Sequence, residues 1–297
     1  VTQLPFPQVP VLLSPPRVGA KPCLRWAGAK RWIVPLVADG IWQKLAVTGG
    51  RYFEPFLGGG SLALDLGLPR MVLADICEPL MTMYRQVVAS PTDVIERMAW
   101  LLGQVAPAGL NDTSYYSLRA FVPETALDVA AQFLMLNATC FNGVYRVNKA
   151  GVYNVPYGDR SEKHFASLEK LQAVAVAFAT AELICHDFRA IVAGAREGDV
   201  IFVDSPYHDV FVDYDKGGFT LTDQRDLALW LRQAAARGAT ILATNSDCPE
   251  VRKLYDFAHV FVSMEQRKVN RDGKGRKPAP CLIITNDPNI INAKTEE

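Results

Sequence analysis

An acid, a hydroxyl, a proline and an aromatic ring close an apolar run in Val200-Ile201-Phe202-Val203-Asp204-Ser205-Pro206-Tyr207. The four apolar residues after Gly198-Asp199 read as a short strand buried on both faces. In open α/β sheets, sites form beyond the carboxyl ends of such strands, so Asp204 and Tyr207 are expected at the mouth of a pocket. There the carboxylate accepts a proton or a hydrogen bond, the ring stacks on a flat ligand, and Pro206 stiffens the turn between them. A strand-end acid before a proline turn also serves as a plain helix cap, so the rest of the chain has to decide.

A second stretch able to do chemistry is Glu54-Pro55-Phe56-Leu57-Gly58-Gly59-Gly60, after the short strand Arg51-Tyr52-Phe53. Three glycines let backbone approach a ligand closely, and the helix that follows presents free N–H groups. Gly58-x-Gly60-x-x-Ala63 fits the loose dinucleotide fingerprint, a weak pattern alone. The next strand, Met71-Val72-Leu73-Ala74-Asp75, ends in an acid placed to bond ribose hydroxyls. Together they describe an adenosine-bearing ligand, and Glu54 favours one without phosphates. An acid there repels pyrophosphate but suits a cationic sulfonium or ammonium group. Upstream, Arg25-Trp26-Ala27-Gly28-Ala29-Lys30-Arg31 sets basic residues around a glycine turn. Either Lys30 meets an acidic group or the segment is a solvated helix start.

The chain has 297 residues, 49% hydrophobic and 21% charged, with a formal net charge of zero. That is a globular composition with enough residues for a sizeable core. It excludes a chain dominated by one sign of charge, and no apolar run reaches the length of a membrane span. The proline-rich stretch 1–22 reads as an irregular arm without the order of a secretory signal. Six scattered cysteines without a Cys-x-x-Cys pair argue against a zinc site or disulfide framework, and for reduced thiols.

From residue 78 to about 165, helical runs such as 80–88 and 128–136 alternate with polar loops, and no strong strand interrupts them. This texture predicts a helical insertion. Within it, Phe141-Asn142-Gly143-Val144-Tyr145-Arg146-Val147-Asn148 and Asn154-Val155-Pro156 interleave aromatics, amides and one arginine. Arginine forks onto guanine, asparagine suits adenine, and rings wedge into base steps. The same residues also make an ordinary turn-rich loop. After the insertion, 183–186 leads to Asp187-Phe188, Thr222 is expected to cap a helix over 223–236, and strands follow at 240–244, 260–262 and 281–285. A basic loop carrying Arg267, Lys268, Arg271, Lys274, Arg276 and Lys277 separates the last two; it is solvated or it clamps phosphates.

In this order, the motifs resemble those of Dam-group DNA adenine-N6 methyltransferases, of the D12 class and alpha type, over nearly the whole chain after the arm. Asp204-Ser205-Pro206-Tyr207 is similar to their Asp-Pro-Pro-Tyr signature, with Ser205 in place of a proline. Pro278-Ala279-Pro280-Cys281 stands where relatives usually carry an acid. The resemblance implies an α/β, Rossmann-like S-adenosylmethionine-dependent methyltransferase sheet with an inserted helical DNA-recognition domain. Residues 1–77 and 167–297 would form the catalytic domain and 78–166 the recognition domain. It implies that Lys30, with Trp26 and Ala27 beside it, meets the cofactor's carboxylate end. Glu54, Pro55, Phe56, Gly58 and Gly60 would cradle the methionine part. Asp75 would hold the ribose, Asp187 and Phe188 the adenine ring, and Asp204 would border the same site. Asp204, Ser205, Pro206 and Tyr207 would grip a flipped target base. Arg25, Phe141, Asn142, Val144, Arg146, Asn148 and Pro156, with Arg267, Arg271, Lys274, Arg276 and Lys277, would meet the DNA.

The implied activity is direct methyl transfer from S-adenosylmethionine to adenine N6 in double-stranded DNA, leaving S-adenosylhomocysteine and needing no metal. The expected context is GATC, and the expected setting is a monomer in a bacterial or phage-infected cytoplasm, away from membranes. Other readings stay open. One is a DNA-binding homologue weakened in catalysis by Ser205. Another is an amino-methyltransferase acting on RNA or protein, which shares the tetrapeptide. An NAD-dependent oxidoreductase leaves residues 204–207 without a role, and a cytosine-C5 enzyme needs a nucleophilic cysteine.

Overall fold

In the computed structural model of the chain, which describes residues 17–207, 219–266 and 278–292, the run expected to be a doubly buried strand is one. The elements are α1 (Val34–Thr48), β1 (Tyr52–Glu54), α2 (Ser61–Leu66), β2 (Met71–Asp75), α3 (Glu78–Ala89), α4 (Pro91–Val105), α5 (Asp112–Ala120), α6 (Ala126–Thr139), α7 (Leu168–Ala177), β3 (Glu182–Cys185), α8 (Phe188–Ala193), β4 (Val200–Val203), α9 (Leu221–Ala236), β5 (Thr240–Ser246), α10 (Pro249–Leu254), β6 (His259–Gln266) and β7 (Pro278–Thr285). All four residues of β4 are buried.

The strands form one seven-stranded sheet in the order β3-β2-β1-β4-β5-β7-β6. The first five run parallel, β7 is antiparallel to β5, and β6 is antiparallel to β7. This is the Rossmann-like methyltransferase sheet that the sequence implied. Alternate residues serve opposite faces. Tyr52, Leu73, Phe202, Leu242 and Ile283 join a core with α1 to α7. Phe53, Val72, Ala74, Ile201, Val203, Ile241 and Ala243 join a second core under α8, α9 and α10. The helix after β1 therefore lies on one face, and the helix after β4 on the other. Since β1 and β4 are neighbours, a crevice opens between their carboxyl ends, as at the strand-order reversal of doubly wound sheets. Glu54 and Asp204 stand there.

Helices α3 to α6 and α7 pack into the same core as the first sheet face. No described helix is long and apolar enough to cross a membrane. The helix ends follow local chemistry. In α6, Thr125 and Asp128 form a reciprocal capping box. In α9 the box is Thr220 with Asp223, so Thr220, and not the expected Thr222, caps that helix. The acid three residues on selects the cap, and Thr222 lies inside the first turn.

Asp128 also joins two helices of the insertion. Its carboxylate is 1% exposed and meets Arg97 of α4 at 2.5 Å, besides accepting from Thr125 N and Oγ1 at 2.9 and 2.8 Å. Burial alone would raise the Asp128 pKa, but the bonds from Thr125 and Arg97 outweigh it, and the value lies below the ordinary one. A lowered carboxyl stabilises the fold above its unfolded pKa, and loses that contribution as pH falls through the folded value. Asp128→Asn is therefore expected to cost about 1–3 kcal/mol at pH 7. In urea unfolding followed across pH, the gap between variant and wild type should narrow as pH falls below the ordinary aspartate range.

Candidate active site

Asp204 leaves the end of β4 with its carboxylate 20% exposed. Two groups from distant parts of the chain converge on it, with the nearby Tyr207 ring beside them. Lys30 Nζ lies 3.1 Å from Asp204 Oδ1, with its side chain 7% exposed, and also donates to Gly28 O at 2.8 Å. Thr244 of β5 donates Oγ1 to the same carboxylate oxygen at 2.7 Å. The Tyr207 ring lies under the ammonium, 4.4 Å from Nζ to the ring centre. Burial raises the Asp204 pKa, and Lys30 and Thr244 oppose the rise without cancelling it. The cluster is thus a hydrogen-bond acceptor fixed beside a cation and an aromatic plane.

The turn itself is anchored from behind. Gln224 of α9, 1% exposed, donates Nε2 to Pro206 O at 2.6 Å and accepts from Asn245 Nδ2 at 3.0 Å. The Tyr207 hydroxyl lies 3.0 Å from Cys281 Sγ. Burial raises the Tyr207 pKa, with Asp204 adding to it. Ser205 is 3% exposed, and among the described residues its hydroxyl has no hydrogen-bond partner.

Beside this cluster is the turn after β1. Gly58 and Gly60 have φ of 46° and 63°, in the left-handed region, and a Cβ on Gly58 would sit 2.6 Å from Trp26 Nε1. Only glycine fits between the turn's backbone and that indole. Asp75 accepts from Gly58 N at 2.9 Å and from Cys77 N at 3.0 Å. The acid expected at a ribose therefore also builds the glycine turn. Pro55 is buried. Phe56 stacks on Phe188 at 5.4 Å, with Phe219 edge-on at 5.6 Å. Asp187 caps α8, accepting from Arg189 N at 2.9 Å, and pairs with the Arg189 guanidinium at 3.0 Å. Ala27 is exposed. Lys30, expected at a cofactor's carboxylate end, is placed on Asp204 and Tyr207.

On the other side, Phe141 is 55% exposed, and Asn142, at φ 55°, holds a left-handed turn. Arg146 is exposed and donates to the Asn154 side chain at 2.8 Å and to its carbonyl at 3.2 Å. Pro156 accepts from Phe141 N at 2.9 Å, which ties the two motif halves together. Val144 is half-buried and Arg25 exposed. Asn148 is spent on its own turn, where Oδ1 accepts from Ala150 N at 2.9 Å and Val152 N at 3.0 Å. Arg267, Arg271, Lys274, Arg276 and Lys277 lie outside the described residues.

Thr244, Gln224 and Cys281 were not singled out from sequence as parts of this site, although each touches residues 204–207. They come from elements that only the sheet order brings to β4. Ile76, next to Asp75, is 74% exposed and was not singled out either; its only signal is an apolar residue after a strand-end acid. Among the described residues no three His, Cys, Asp or Glu side chains form a metal-ligating group.

Residues 26–269 match the family described as D12 class N6 adenine-specific DNA methyltransferase. The chain belongs to this family. The match takes in β1 to β5, the insertion and residues 204–207. Among D12-class relatives, the DNA adenine methylase of Vibrio cholerae is 31% identical over 276 residues, covering 90% of this chain and 96% of its own. A type II methyltransferase of Methanocaldococcus jannaschii is 30% identical over 275 residues, 86% of this chain and 95% of its own. The DNA N-6-adenine-methyltransferase of Escherichia phage P1 is 35% identical over 243 residues. That stretch is 78% of this chain and 30% of the phage protein. As a D12-class member, the chain is an adenine-specific DNA methyltransferase, and S-adenosylmethionine use follows from the class.

One acid of this D12 site has its charge state set by burial. Glu54 is 3% exposed and accepts from Tyr52 Oη at 2.7 Å. Burial pushes its pKa up to about 8, the Tyr52 bond opposes, and the Asp204 charge adds. A raised acid keeps its proton in the fold after the unfolded chain has lost it. Its stabilising effect is complete below the unfolded pKa and is lost as pH rises through about 8. Glu54→Gln, neutral at every pH, removes that dependence. The ligand-free wild type should melt progressively earlier than Glu54→Gln between pH 5 and 8.5 in a fluorimetric thermal scan. Parallel curves for the two proteins would contradict the buried neutral acid.

Proposed function

We propose that this chain methylates N6 of adenine within GATC in double-stranded DNA, acting on a base turned out of the helix. The observation that supports this most is the Asp204 cluster, an acceptor held by Lys30 and Thr244 beside the Tyr207 ring, next to the Glu54–Gly60 turn. The N6 lone pair is delocalised into the purine ring, so transfer requires the nitrogen to move towards tetrahedral geometry. Asp204 accepts one N–H and the Ser205 carbonyl the other, and both bonds strengthen as positive charge develops on nitrogen. The Tyr207 ring stacks on the turned-out base. Thr244 and Gln224 keep acceptor and turn in place, which makes positioning the chain's main contribution.

The residues present fit S-adenosylmethionine. The glycines 58–60 leave the turn without side chains, and the Glu54 and Asp204 oxygens offer acceptors to a cationic group. Glu54, Pro55, Phe56, Gly58 and Gly60 would hold the methionine part, Asp75 and Ile76 the ribose and one face of the adenine, and Asp187 and Phe188 its edge. Trp26, Ala27 and Lys30 would border it. When bound, S-adenosylmethionine supplies a methyl group activated by the positive sulfur.

Residues 78–166 serve as the recognition unit, with 1–77 and 167–297 forming the catalytic part. Arg146 reads a guanine, Val144 and Pro156 offer apolar surface to a thymine methyl, and Arg25 and the loop 267–277 meet phosphates. The enzyme would work as a monomer in the cytoplasm.

A second reading, a DNA binder with weakened catalysis, is motivated by Ser205, which stands where the signature has a proline. The group asked of position 205 is a carbonyl, which serine keeps. Serine samples more backbone than proline, so Ser205→Pro should leave the methylation rate unchanged or raise it. Asp204→Ala should abolish transfer while calorimetric binding of S-adenosylmethionine persists. An inactive wild type revived by Ser205→Pro would favour the binder, and Asp204→Ala within a few-fold of wild type would remove the carboxylate from the mechanism.

Methylation-sensitive sequencing of DNA treated with the purified protein tests base and context together. Modified adenine within GATC is expected. Arg146→Ala should cost about 1–3 kcal/mol and relax one guanine position. Equal slowing at all sequences would detach Arg146 from base reading while leaving the reaction class in place.

A further inference from the structure

The two segments that carry the DNA-facing residues are far apart in sequence. Arg25 lies before α1, and 141–146 follow α6. One side chain joins them. Asn137, in the last turn of α6 and 6% exposed, accepts from Arg25 N at 2.9 Å through Oδ1. It returns Nδ2 to Arg25 O at 2.8 Å and to Gly143 O at 3.3 Å. Its carboxamide thus copies the pairing of a neighbouring strand for one residue of the Arg25 segment, and adds one bond to the recognition turn.

Gly143 makes the approach possible. It has φ 64°, and a Cβ there would lie 2.5 Å from Arg25 Cβ and 3.0 Å from Arg25 O. Packing shares this work, since the Trp26 and Tyr145 rings stack at 6.3 Å. A hollow of about 150 Å³ is lined by Phe133, Leu136, Asn137, Val144, Tyr145 and Tyr153 among others. Atoms facing a void lack van der Waals partners, so there the Asn137 hydrogen bonds supply register that packing does not.

We infer that Asn137 is a specificity-positioning residue, which sets the spacing between Arg25 and the 141–146 turn and thereby the match of both to one DNA site. The inference rests on the proposed reading of these residues as the DNA face. Asn137 touches no DNA itself. Asp keeps the acceptor for Arg25 N, and loses the donor to Arg25 O and Gly143 O. Asn137→Asp leaves those two carbonyls facing a carboxylate, and the segments should move apart.

The test compares initial methylation rates, with S-adenosylmethionine, on duplexes carrying GATC and on duplexes with one flanking base pair replaced. For Asn137→Asp the ratio of the two rates should fall by roughly tenfold from wild type, while calorimetric S-adenosylmethionine affinity is unchanged. Gly143→Ala, which forces the same segments apart by bulk, should give the same signature and carries the test should Asn137→Asp fail to fold. A merely structural role would lower both rates together and leave their ratio intact, and that result in the folded variants overturns the inference. Arg146→Ala is run in parallel. If it too leaves the ratio intact, the reading of the loop has failed; if it collapses the ratio while Asn137→Asp and Gly143→Ala do not, only the role of Asn137 has.

Discussion

The buried end of β4 sets the terms for the site around it. A carboxylate taken out of water is costly unless it is paired and hydrogen-bonded. Asp204 meets both conditions from elsewhere in the chain, through the Lys30 ammonium and the Thr244 hydroxyl. Each partner in turn constrains its own segment. Lys30 can reach only because the Gly28 turn brings the chain back over the sheet, where it also donates to Gly28 O. Thr244 is in reach because β5 pairs beside β4, with Val203 opposite Ala243. Without the cation, two acids at adjacent strand ends, Glu54 and Asp204, would face each other in a low-dielectric crevice. With it, Asp204 is paired and stays available as an acceptor, while burial, with the Asp204 charge adding, pushes Glu54 towards its neutral form.

Much of this was legible in the sequence, because apolar runs and strand-end acids are local signals. The strands at 51–53, 71–75 and 200–203 were readable, as were the helical character of 78–166 and the last two strands, though not the antiparallel direction of β6 and β7. What sequence could not supply was non-local. Thr244 and Cys281 sit on β5 and β7, and nothing in their own neighbourhoods points at residues 204–207. Gln224 reads as a polar residue of an amphipathic helix, yet it is buried and holds the Pro206 carbonyl. Lys30 was recognised by its position after a glycine turn, but its protein partners, Asp204 and Tyr207, depend on how that turn folds over the sheet. Asp75 was expected at a ligand and is also bonded to the turn that would bind one, a double role that a strand-end acid does not announce.

The shift of the α9 cap from Thr222 to Thr220 has a similar cause on a smaller scale. A threonine next to an acid fits a helix start at several registers. The reciprocal bond needs the acid three residues on, and Thr220 with Asp223 satisfies it. Those two residues set where α9 begins, and so where Gln224 faces the catalytic turn.

The helical residues 78–166 and the glycine turn after β1 share parts. Trp26 packs against Gly58 and Gly59, and its ring lies 6.4 Å from Phe133 and 6.3 Å from Tyr145, near-parallel to both. Tyr84, on α3, donates its hydroxyl to Gly58 O at 3.0 Å. Arg25, one residue before Trp26, is fixed to Asn137 by both of its backbone polar groups. A single short segment, 25–30, therefore carries Arg25, the indole that closes the glycine turn and the lysine that holds Asp204. It is anchored near both ends to different elements, Arg25 to α6 and Lys30 to the end of β4. A segment anchored in this way is ordered before any ligand arrives, so less of its ordering has to accompany binding.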